Sequence, residues 1–522
     1  MGGSAERAPP HDDGSPMLRF EIFENGQPAK SLPLEGAYLL GSDHVPVRGE
    51  FELSNGELKC QKRAQGPAAL AVLWPVEGVG TILLETTRLP ERERPYNLHL
   101  ELARAQMMRI CQKREDWGLF DIDNIETMER SFRQCQELLV EAIKCGSMSE
   151  AAKVANEVLG KSVQLGEQMS LFHAGVFLTR RRQMGQLERR LFGCRINPKN
   201  KEDLYRKRLI NGFDFVYLPV CWRQIEPKQG EFEWDDLDEW VDWLTKHRIP
   251  LKAGPLVSFD ELDVPDWLYI YEHDFEAIRD FIYEHIRRVV ERFGEHVQAW
   301  DVISGVHANN TFNMNFEQLI ELTRLSSAIT KQMAPEALTL VDLVAPWGEY
   351  YARNPRTIPP LLYADMIVQN SVNFEAIGLQ FYVGAGRDGM YVRDMFQLSS
   401  MIDRFASFGK PVHITAVQAP SNPSGDEEDA WSGQYPPSQA GRWHDEWSEA
   451  LQSRWLREFY NIALSKPFVE TITWRDLADA GAHYLPHGGL LRADLSPKLA
   501  YEQLCTIRAQ IHADGQSHDA SA

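Results

Sequence analysis

The segment Val297-Gln298-Ala299-Trp300-Asp301-Val302-Ile303 is a short, mostly apolar run, and an amphipathic stretch over residues 316–333 follows it. Apolar runs of this kind recur through the second half of the chain. They cover residues 191–194, 213–221, 250–257, 297–303, 338–344, 374–383, 411–417 and 469–474. Amphipathic stretches such as 237–246 and 275–293 separate most of them, with the spacing of a helix face. Eight strands alternating with helices predict an α/β fold, a (β/α)8 TIM barrel over residues 188–512. This fold places its functional site at the C-terminal ends of the strands, so candidate residues are sought there.

Two further segments precede the predicted barrel. Residues 17–95 alternate apolar and polar side chains, and Asn55-Gly56 joins two such runs in the pattern of a hairpin with a type I′ turn. This predicts a small β-sandwich-like domain, which could bind carbohydrate or form a structural cap on the barrel. Residues 96–187 change to helical periodicity, and Ser147-x-x-Glu150 has the pattern of a capping box. The apolar stripe of this helical segment could pack within the chain or join two copies in a homo-oligomer.

Composition and chain ends limit the function classes. Residues 1–16 lack the apolar core of a secretory signal peptide, and we expect 1–16 and 513–522 to be disordered tails. The seven cysteines form no C-x-x-C pair, which suits a reducing compartment. No run of about 18 apolar residues occurs, so we expect a cytoplasmic protein with no membrane partner. The formal net charge of −20 argues against a nucleic-acid partner. The sequence has no apparent phosphate-binding loop, no dinucleotide-binding fingerprint and no histidines at the spacing of a metal-binding motif. We therefore expect no cofactor and no metal.

Several motifs of the predicted barrel resemble those of one enzyme family. Trp300-Asp301-Val302-Ile303-Ser304-Gly305 is similar to the strand-4 motif W-D-V-V-N-E of glycoside hydrolase family 10, the xylanase family. Further likenesses occur in the expected order along the chain. They are Ile225-Glu226-Pro227 with Gly230, Phe232 and Trp234, then Pro265-x-Trp267, Ile377-Gly378-Leu379-Gln380, Thr473-Trp474 and Pro497-Lys498-x-Ala500-Tyr501. The resemblance covers the whole barrel and implies a carbohydrate or polyol ligand.

The resemblance also shows what this chain lacks. The family's acid/base glutamate falls on Gly305, and its nucleophile motif T-E-L-D appears as Thr415-Ala416-Val417-Gln418. A retaining glycosidase needs two carboxyl groups about 5–5.5 Å apart, one to protonate the leaving oxygen and one to attack the sugar. Glycine and alanine can do neither. Three other polar positions of the family's sugar site are also replaced, by Cys221, Pro255 and Tyr382.

Other acids could have taken over the chemistry. Glu349, which follows the fifth strand, is the first candidate, and its structural alternative is to anchor a loop. Asp301 is the second candidate, although the family keeps an aspartate there for structural reasons. Asp342 and the strand-3 loop acids Asp260 and Asp263 are further carboxyls near the barrel mouth. Each would need a raised pKa to act as an acid near neutral pH.

The candidate binding residues share a place at strand ends or in the loops that follow. They are Trp222, Arg223, Trp267, Trp347, Gln380, Tyr382 and Trp474, with Arg475 as a further donor. Their aromatic planes could stack on sugar rings, and their polar groups could bind hydroxyls. Residues 419–449 form an unusually long loop with four large aromatic side chains, which could be a mobile lid or a disordered segment.

Three functional hypotheses follow. The first is a family 10-like barrel that binds carbohydrate without the family's retaining mechanism. The second is an active glycoside hydrolase that uses relocated carboxylates. The third is a structural or partner-binding scaffold in which the barrel is inert. An open, aromatic pocket at the strand ends favours the first two hypotheses, and a plugged one favours the third.

Overall fold

A computed structural model describes residues 17–63, 65–119, 125–187 and 190–519. The predicted tail at 1–16 and the predicted domain boundary at 188 lie outside these ranges. Within them the chain forms a strand-rich N-terminal unit, a helical segment and a closed barrel. No helix in these ranges is both long and apolar enough to cross a membrane.

The second half of the chain is an eight-stranded parallel barrel, as the sequence predicts. Its strands are β11 (Phe192–Arg195), β12 (Phe215–Pro219), β13 (Leu251–Gly254), β14 (Val297–Ser304), β15 (Leu338–Leu343), β16 (Ala376–Tyr382), β17 (Val412–Gln418) and β19 (Val469–Trp474). Each strand pairs with the next, and β11 pairs with β19 in the register Phe192↔Ile472, which closes the barrel. The strands are buried on both faces, which is why they read as nearly continuous apolar runs.

Helices surround the barrel and connect its strands. They are α4 (Asp203–Gly212), α5 (Trp222–Ile225), α6 (Asp235–Lys246), α7 (Phe275–Phe293), α8 (Phe316–Met333), α9 (Tyr350–Arg353), α10 (Pro360–Gln369), α11 (Met395–Phe405), α12 (Glu449–Ser465) and α13 (Leu499–Asp519). Helix α8 begins with a reciprocal capping box between Asn315 and Gln318. Helix α13 continues to Asp519, so it extends into the segment expected to be a tail from residue 513.

The N-terminal unit consists of two larger sheets and a two-stranded ribbon. Its strands are β1 (Met17–Glu21), β2 (Phe23–Glu24), β3 (Gln27–Pro28), β4 (Tyr38–Leu40), β5 (Pro46–Val47), β6 (Gly49–Ser54), β7 (Glu57–Lys62), β8 (Ala69–Val76), β9 (Gly80–Glu85) and β10 (Tyr96–Asn97). Asn55 and Gly56 join β6 to β7 with φ of 50° and 78°, as a type I′ turn requires. One face of the β8–β9 sheet packs against Ala352 and Tyr391 of the barrel.

Three helices link this unit to the barrel: α1 (Leu98–Asp116), α2 (Glu126–Lys144) and α3 (Met148–Gln183). The hydroxyl of Ser147 accepts a hydrogen bond from the backbone N–H of Glu150 at 3.2 Å and caps α3. Helix α3 packs against α1, α2, α11 and α12, so it belongs to the interior of this chain. Helix α2 lies further out and exposes Val140 and Ile143. Homo-oligomerisation through the helical segment stays a prediction.

The long loop after β17 is tied down on the N-terminal unit. Its short strand β18 (Arg442–Trp443) pairs antiparallel with β9 in the register Trp443↔Gly80. The indole of Trp443 is fully buried and donates to the Glu167 carboxylate of α3 at 2.7 Å. A Cβ at Gly80 would lie 2.2 Å from the carbonyl oxygen of Arg442, so this close pairing needs a glycine. The loop is therefore packed against the N-terminal unit. This differs from both the mobile lid and the disordered segment that the sequence suggested.

Candidate functional site

A cavity of about 400 Å³ opens at the C-terminal ends of the barrel strands. Such a volume falls within the range of about 300–1,000 Å³ that is usual for small-molecule sites. Polar and charged side chains from seven of the strands or the loops after them line it. They are Arg195, Asp260, Asp263, Ser304, Asn309, Tyr350, Arg353, Gln380, Tyr382, Arg387, Asp388, Tyr435, Arg475 and Tyr484.

A hydrogen-bond network centred on Asp342 lies at the base of this cavity. The buried Asp342 carboxylate accepts from the hydroxyl of Ser304 at 2.7 Å, from the amide of Gln380 and from the hydroxyl of Thr415. Burial raises the pKa of Asp342, and these three donors oppose the rise. The network orients the side chain of Gln380, whose amide oxygen Oε1 faces Tyr382.

The chain of hydrogen bonds continues upward from Gln380. The hydroxyl of Tyr382 donates to Gln380 Oε1 at 2.9 Å, and the guanidinium of Arg475 donates to the Tyr382 oxygen at 3.3 Å. Arg475 also lies over the ring of Tyr484, 4.3 Å from its centroid. The polar wall of the cavity is thus ordered before any ligand arrives, which lowers the entropic cost of binding.

Two carboxyl groups of the cavity have raised pKa values. Burial raises the pKa of Asp388 to about 6, although the Arg353 guanidinium, 2.9 Å away, opposes the change. Burial also raises the pKa of Asp260, and the neighbouring Asp263 carboxylate acts in the same direction. Asp260 accepts hydrogen bonds from the Asn309 side chain at 3.3 Å and from the Leu262 backbone at 3.0 Å. Both groups can therefore exchange a proton nearer to neutral pH than an ordinary aspartate.

Gly305 and Ala416, where the sequence resemblance would place the family's glutamates, lie close to residues of this cavity. Gly305 has a left-handed φ of +65°, and a Cβ there would lie 3.1 Å from both methyl groups of Val344. Ala416 is buried on β17 in an apolar cluster that includes Met390, Trp431 and Leu485. The long loop after β17 supplies Trp431, so this loop contributes to the cluster that contains Ala416.

The two replacement acids predicted from the sequence do not line the cavity. Glu349 is 2% exposed and pairs with the fully buried guanidinium of Arg393 at 2.5 Å. Arg393 in turn lies near the hydroxyl of Tyr38 on β4, so this pair stands at the junction with the N-terminal unit. Asp301 is buried below the cavity and accepts from the hydroxyl of Tyr217 at 3.1 Å. Glu349 thus holds two parts of the chain together, and Asp301 belongs to the barrel interior.

Of the seven predicted binding residues, the structure brings Gln380 and Tyr382 into the cavity. The other five occupy packing or surface positions elsewhere. Trp222 stacks on His285, Trp267 packs on Trp222, Trp347 lies under Arg393, Trp474 donates to the Gly488 carbonyl, and Arg223 pairs with Asp266. A strand end predicts where a residue lies along the barrel, but not in which direction its side chain points.

Several lining residues were not singled out from the sequence, among them Arg195, Asn309, Arg353, Arg387, Asp388 and Tyr484. Arg195 ends β11, and the rule that sites lie at strand ends could have found it. Arg387 and Asp388 lie in the loop after β16, and Tyr484 lies in the loop after β19. Charged loop residues of this kind usually face solvent, so nothing in the sequence marked them. Across the described ranges, no group of three or more His, Cys, Asp or Glu side chains is arranged to hold a metal ion.

The closed barrel with a cavity at its strand ends is the architecture of (β/α)8 proteins. A comparison with known families then identifies which of them this chain belongs to. The family model described as glycosyl hydrolase family 10 matches residues 216–505. This span is more than half of the 522 residues, and the chain belongs to that family.

The relatives of this chain are xylanases. Endo-1,4-beta-xylanase A of Halalkalibacterium halodurans is 31% identical over 97 residues, which cover 16% of this chain and 24% of that enzyme. Endo-1,4-beta-xylanase A of Caldicellulosiruptor saccharolyticus is 19% identical over 238 residues, or 43% of this chain and 66% of that enzyme. The matched regions thus cover less than two thirds of either enzyme. Xylanase 10B from Thermotoga petrophila in complex with xylobiose is 17% identical, with a TM-score of 0.46 over 61% of this chain and 94% of that one.

Proposed function

We propose that this barrel binds a carbohydrate or related polyol at the strand ends and does not carry out the family's double displacement. The observation that carries the proposal is the contrast between the cavity and the two glutamate positions. The cavity keeps an ordered polar wall of Gln380, Tyr382 and Arg475. Gly305 has a left-handed φ that a glutamate would adopt only with strain, and Ala416 lies in an apolar cluster, so neither position supplies a nucleophile or a proton donor.

A combined binding and hydrolysis experiment tests this proposal. Purified protein is titrated with xylans, glucans and their oligosaccharides, and the release of reducing ends is measured in parallel. We expect binding to at least one neutral or charged saccharide without release. Tyr435, which lines the cavity, supplies the variant: Tyr435→Ala weakens binding by about 3- to 10-fold through loss of ring contact.

Tyr283 supplies the matched control. It is a 47% exposed tyrosine on the outer helix α7, so Tyr283→Ala leaves binding unchanged. Equal losses in the two variants would place the binding site away from the cavity. Absence of binding throughout the panel would favour the scaffold hypothesis instead.

A second candidate function is glycoside hydrolysis by relocated acids, and the raised pKa values of Asp260 and Asp388 favour it. These two residues replace Glu349 as the acids to test, because Glu349 is committed to Arg393. If the wild-type protein releases reducing ends, Asp388→Asn or Asp260→Asn abolishes that release. Asp280→Asn on the surface of α7 is the control, since the Asp280 side chain is 76% exposed.

We propose a supporting role for the remaining parts of the chain. The domain of residues 17–95 acts as a structural cap, since its β8–β9 sheet packs on the barrel. All seven cysteines are free, which supports a reducing compartment such as the cytoplasm. The cellular location of the tagged protein tests the prediction of a reducing compartment. Size-exclusion chromatography with light scattering tests whether α2 joins two copies.

A further inference from the structure

The cavity wall carries arginines that form no salt bridge with a carboxylate in the described part of the chain. Arg387 lies over the ring of Trp431 at 4.5 Å, and Arg475 lies over the ring of Tyr484 at 4.3 Å. In the described part of the chain, neither guanidinium forms a salt bridge, and neither does that of Arg195. Arg353 differs, because it is paired with Asp388 at 2.9 Å. Half-buried guanidinium groups keep several N–H donors that an acceptor within the cavity can use.

The two stacked arginines belong to one continuous aromatic support. The rings of Trp431 and Tyr484 contact each other in an edge-to-face arrangement, with centroids 5.0 Å apart. Tyr484 also contacts Tyr382, at 4.7 Å between centroids, and Arg475 donates to the Tyr382 hydroxyl. Arg387 and Arg475 are therefore held on neighbouring rings with their donors fixed. Stacking on an aromatic face while binding an anion is a combination that suits arginine better than lysine.

We propose that the ligand of this cavity is an anionic saccharide, whose carboxylate or phosphate group lies between Arg387 and Arg475. This inference rests on the proposed carbohydrate-binding function and names its substrate class. The sugar ring contacts Tyr435 and Tyr484, and its hydroxyls meet Asp260 and Asn309 on the opposite wall. Asp260, Asp263 and Asp476 attract these arginines from a longer range, but in the described ranges no salt bridge joins them to Arg387 or Arg475.

Three sugars that differ only at carbon 6 test this proposal: glucose, glucuronate and glucose 6-phosphate. Their dissociation constants are measured by NMR titration, which detects weak binding. We expect the preferred anion to bind at least about 10-fold more tightly than glucose, since charge-assisted hydrogen bonds are the strong ones. Preference for glucuronate identifies a carboxylate ligand, and preference for glucose 6-phosphate identifies a phosphate ligand. At about 1 M salt, where the Debye length is about 3 Å, the preference shrinks.

Variants separate recognition of the anion from a structural role. Arg387→Gln weakens anion binding by about 10- to 100-fold and weakens glucose binding much less. Arg475→Gln also weakens anion binding, but it lowers glucose binding too, because Arg475 donates to the Tyr382 hydroxyl in the same polar wall. Arg387→Lys restores part of the loss, because it keeps the charge. Arg208→Gln is the matched control, since Arg208 lies 5.9 Å from the Tyr501 ring centroid on the outer surface and does not line the cavity.

The outcomes distinguish this inference from the function on which it rests. Equal binding of all three sugars, or equal loss of glucose and anion binding in the Arg387→Gln variant, overturns the anionic ligand and leaves carbohydrate binding standing. Absence of binding by every sugar, neutral or charged, overturns both. Circular dichroism of each variant shows whether the fold is retained, and Arg387→Lys remains decisive if a glutamine variant fails to fold.

Discussion

Replacing Glu349 by glutamine tests whether a buried charge pair joins the barrel to the N-terminal unit. The Glu349 and Arg393 side chains are 2% and 0% exposed, and their charged atoms lie 2.5 Å apart. Arg393 also lies 4.0 Å from the centroid of the Trp347 ring and next to the Tyr38 hydroxyl. Glutamine fills the same volume but leaves a buried guanidinium without its counter-charge. Breaking one partner of such a pair costs about 3–5 kcal/mol of unfolding free energy.

Urea denaturation, followed by circular dichroism and tryptophan fluorescence, measures the change. The control is Glu231→Gln, because Glu231 pairs with Lys228 at 3.0 Å while both side chains are more than half exposed. That surface pair contributes about 0–1 kcal/mol. The double variant Glu349→Leu/Arg393→Met removes both charges, so it loses less stability than Glu349→Gln. A Glu349→Gln protein within about 1 kcal/mol of wild type would refute the reasoning.

Three further predictions concern the glutamate positions, the cavity acid and the loop anchor. Gly305→Glu and Ala416→Glu each lower the unfolding free energy by about 1–3 kcal/mol, because one strains the backbone and the other overpacks an apolar cluster. The double variant therefore releases no reducing ends from xylan, and measurable release would show that the sites can still accept carboxylates. The folded-state pKa of Asp388 is about 6, above its ordinary 3.8, so the folded protein retains a proton that the unfolded chain loses. The unfolding free energy of the wild-type protein, relative to that of Asp388→Asn, thus falls by at most about 3 kcal/mol as the pH rises from about 4 to 6. Urea denaturation of both proteins across this pH range measures the difference, and a difference that does not change with pH would contradict the prediction. Gly80→Ala displaces β18 and speeds proteolysis within residues 419–448. Gly66→Ala is the control and does not speed it, because Gly66 also has a positive φ but has open space around it.

The barrel could be predicted from the sequence because its physical signal is local. A parallel strand covered on both faces must be apolar along its whole length, so each of the eight strands appears as a run between amphipathic helices. Residues 297–303 predict a strand, and the structure has β14 at Val297–Ser304. The type I′ turn at Asn55-Gly56 is equally local, since both residues must accept positive φ.

The cavity could be predicted only in part, because side-chain direction depends on tertiary packing. Trp474 ends β19, yet it turns inward and donates to the Gly488 carbonyl at 3.0 Å. Trp222 follows β12, yet helix α7 supplies His285, on which it stacks. Arg387 is held in the cavity by the rings of Trp431 and Tyr435, of which Trp431 lies 44 positions further along the chain. No local pattern encodes a contact of that kind.

The end of β17, the long loop and the N-terminal unit form one arrangement. Ala416 lies near the end of β17, and the loop that follows supplies Trp431 to the same apolar cluster. The same loop reaches β9 through Trp443, whose indole is bound by Glu167 of α3. The Trp431 ring, which belongs to the same cluster as Ala416, also supports Arg387 in the cavity. Because the loop is anchored on β9 and α3, Trp431 is held in position without a ligand. The additional segments before the barrel therefore shape the cavity from outside it, and any change that releases β18 from β9 should disturb Arg387 before it disturbs the barrel itself.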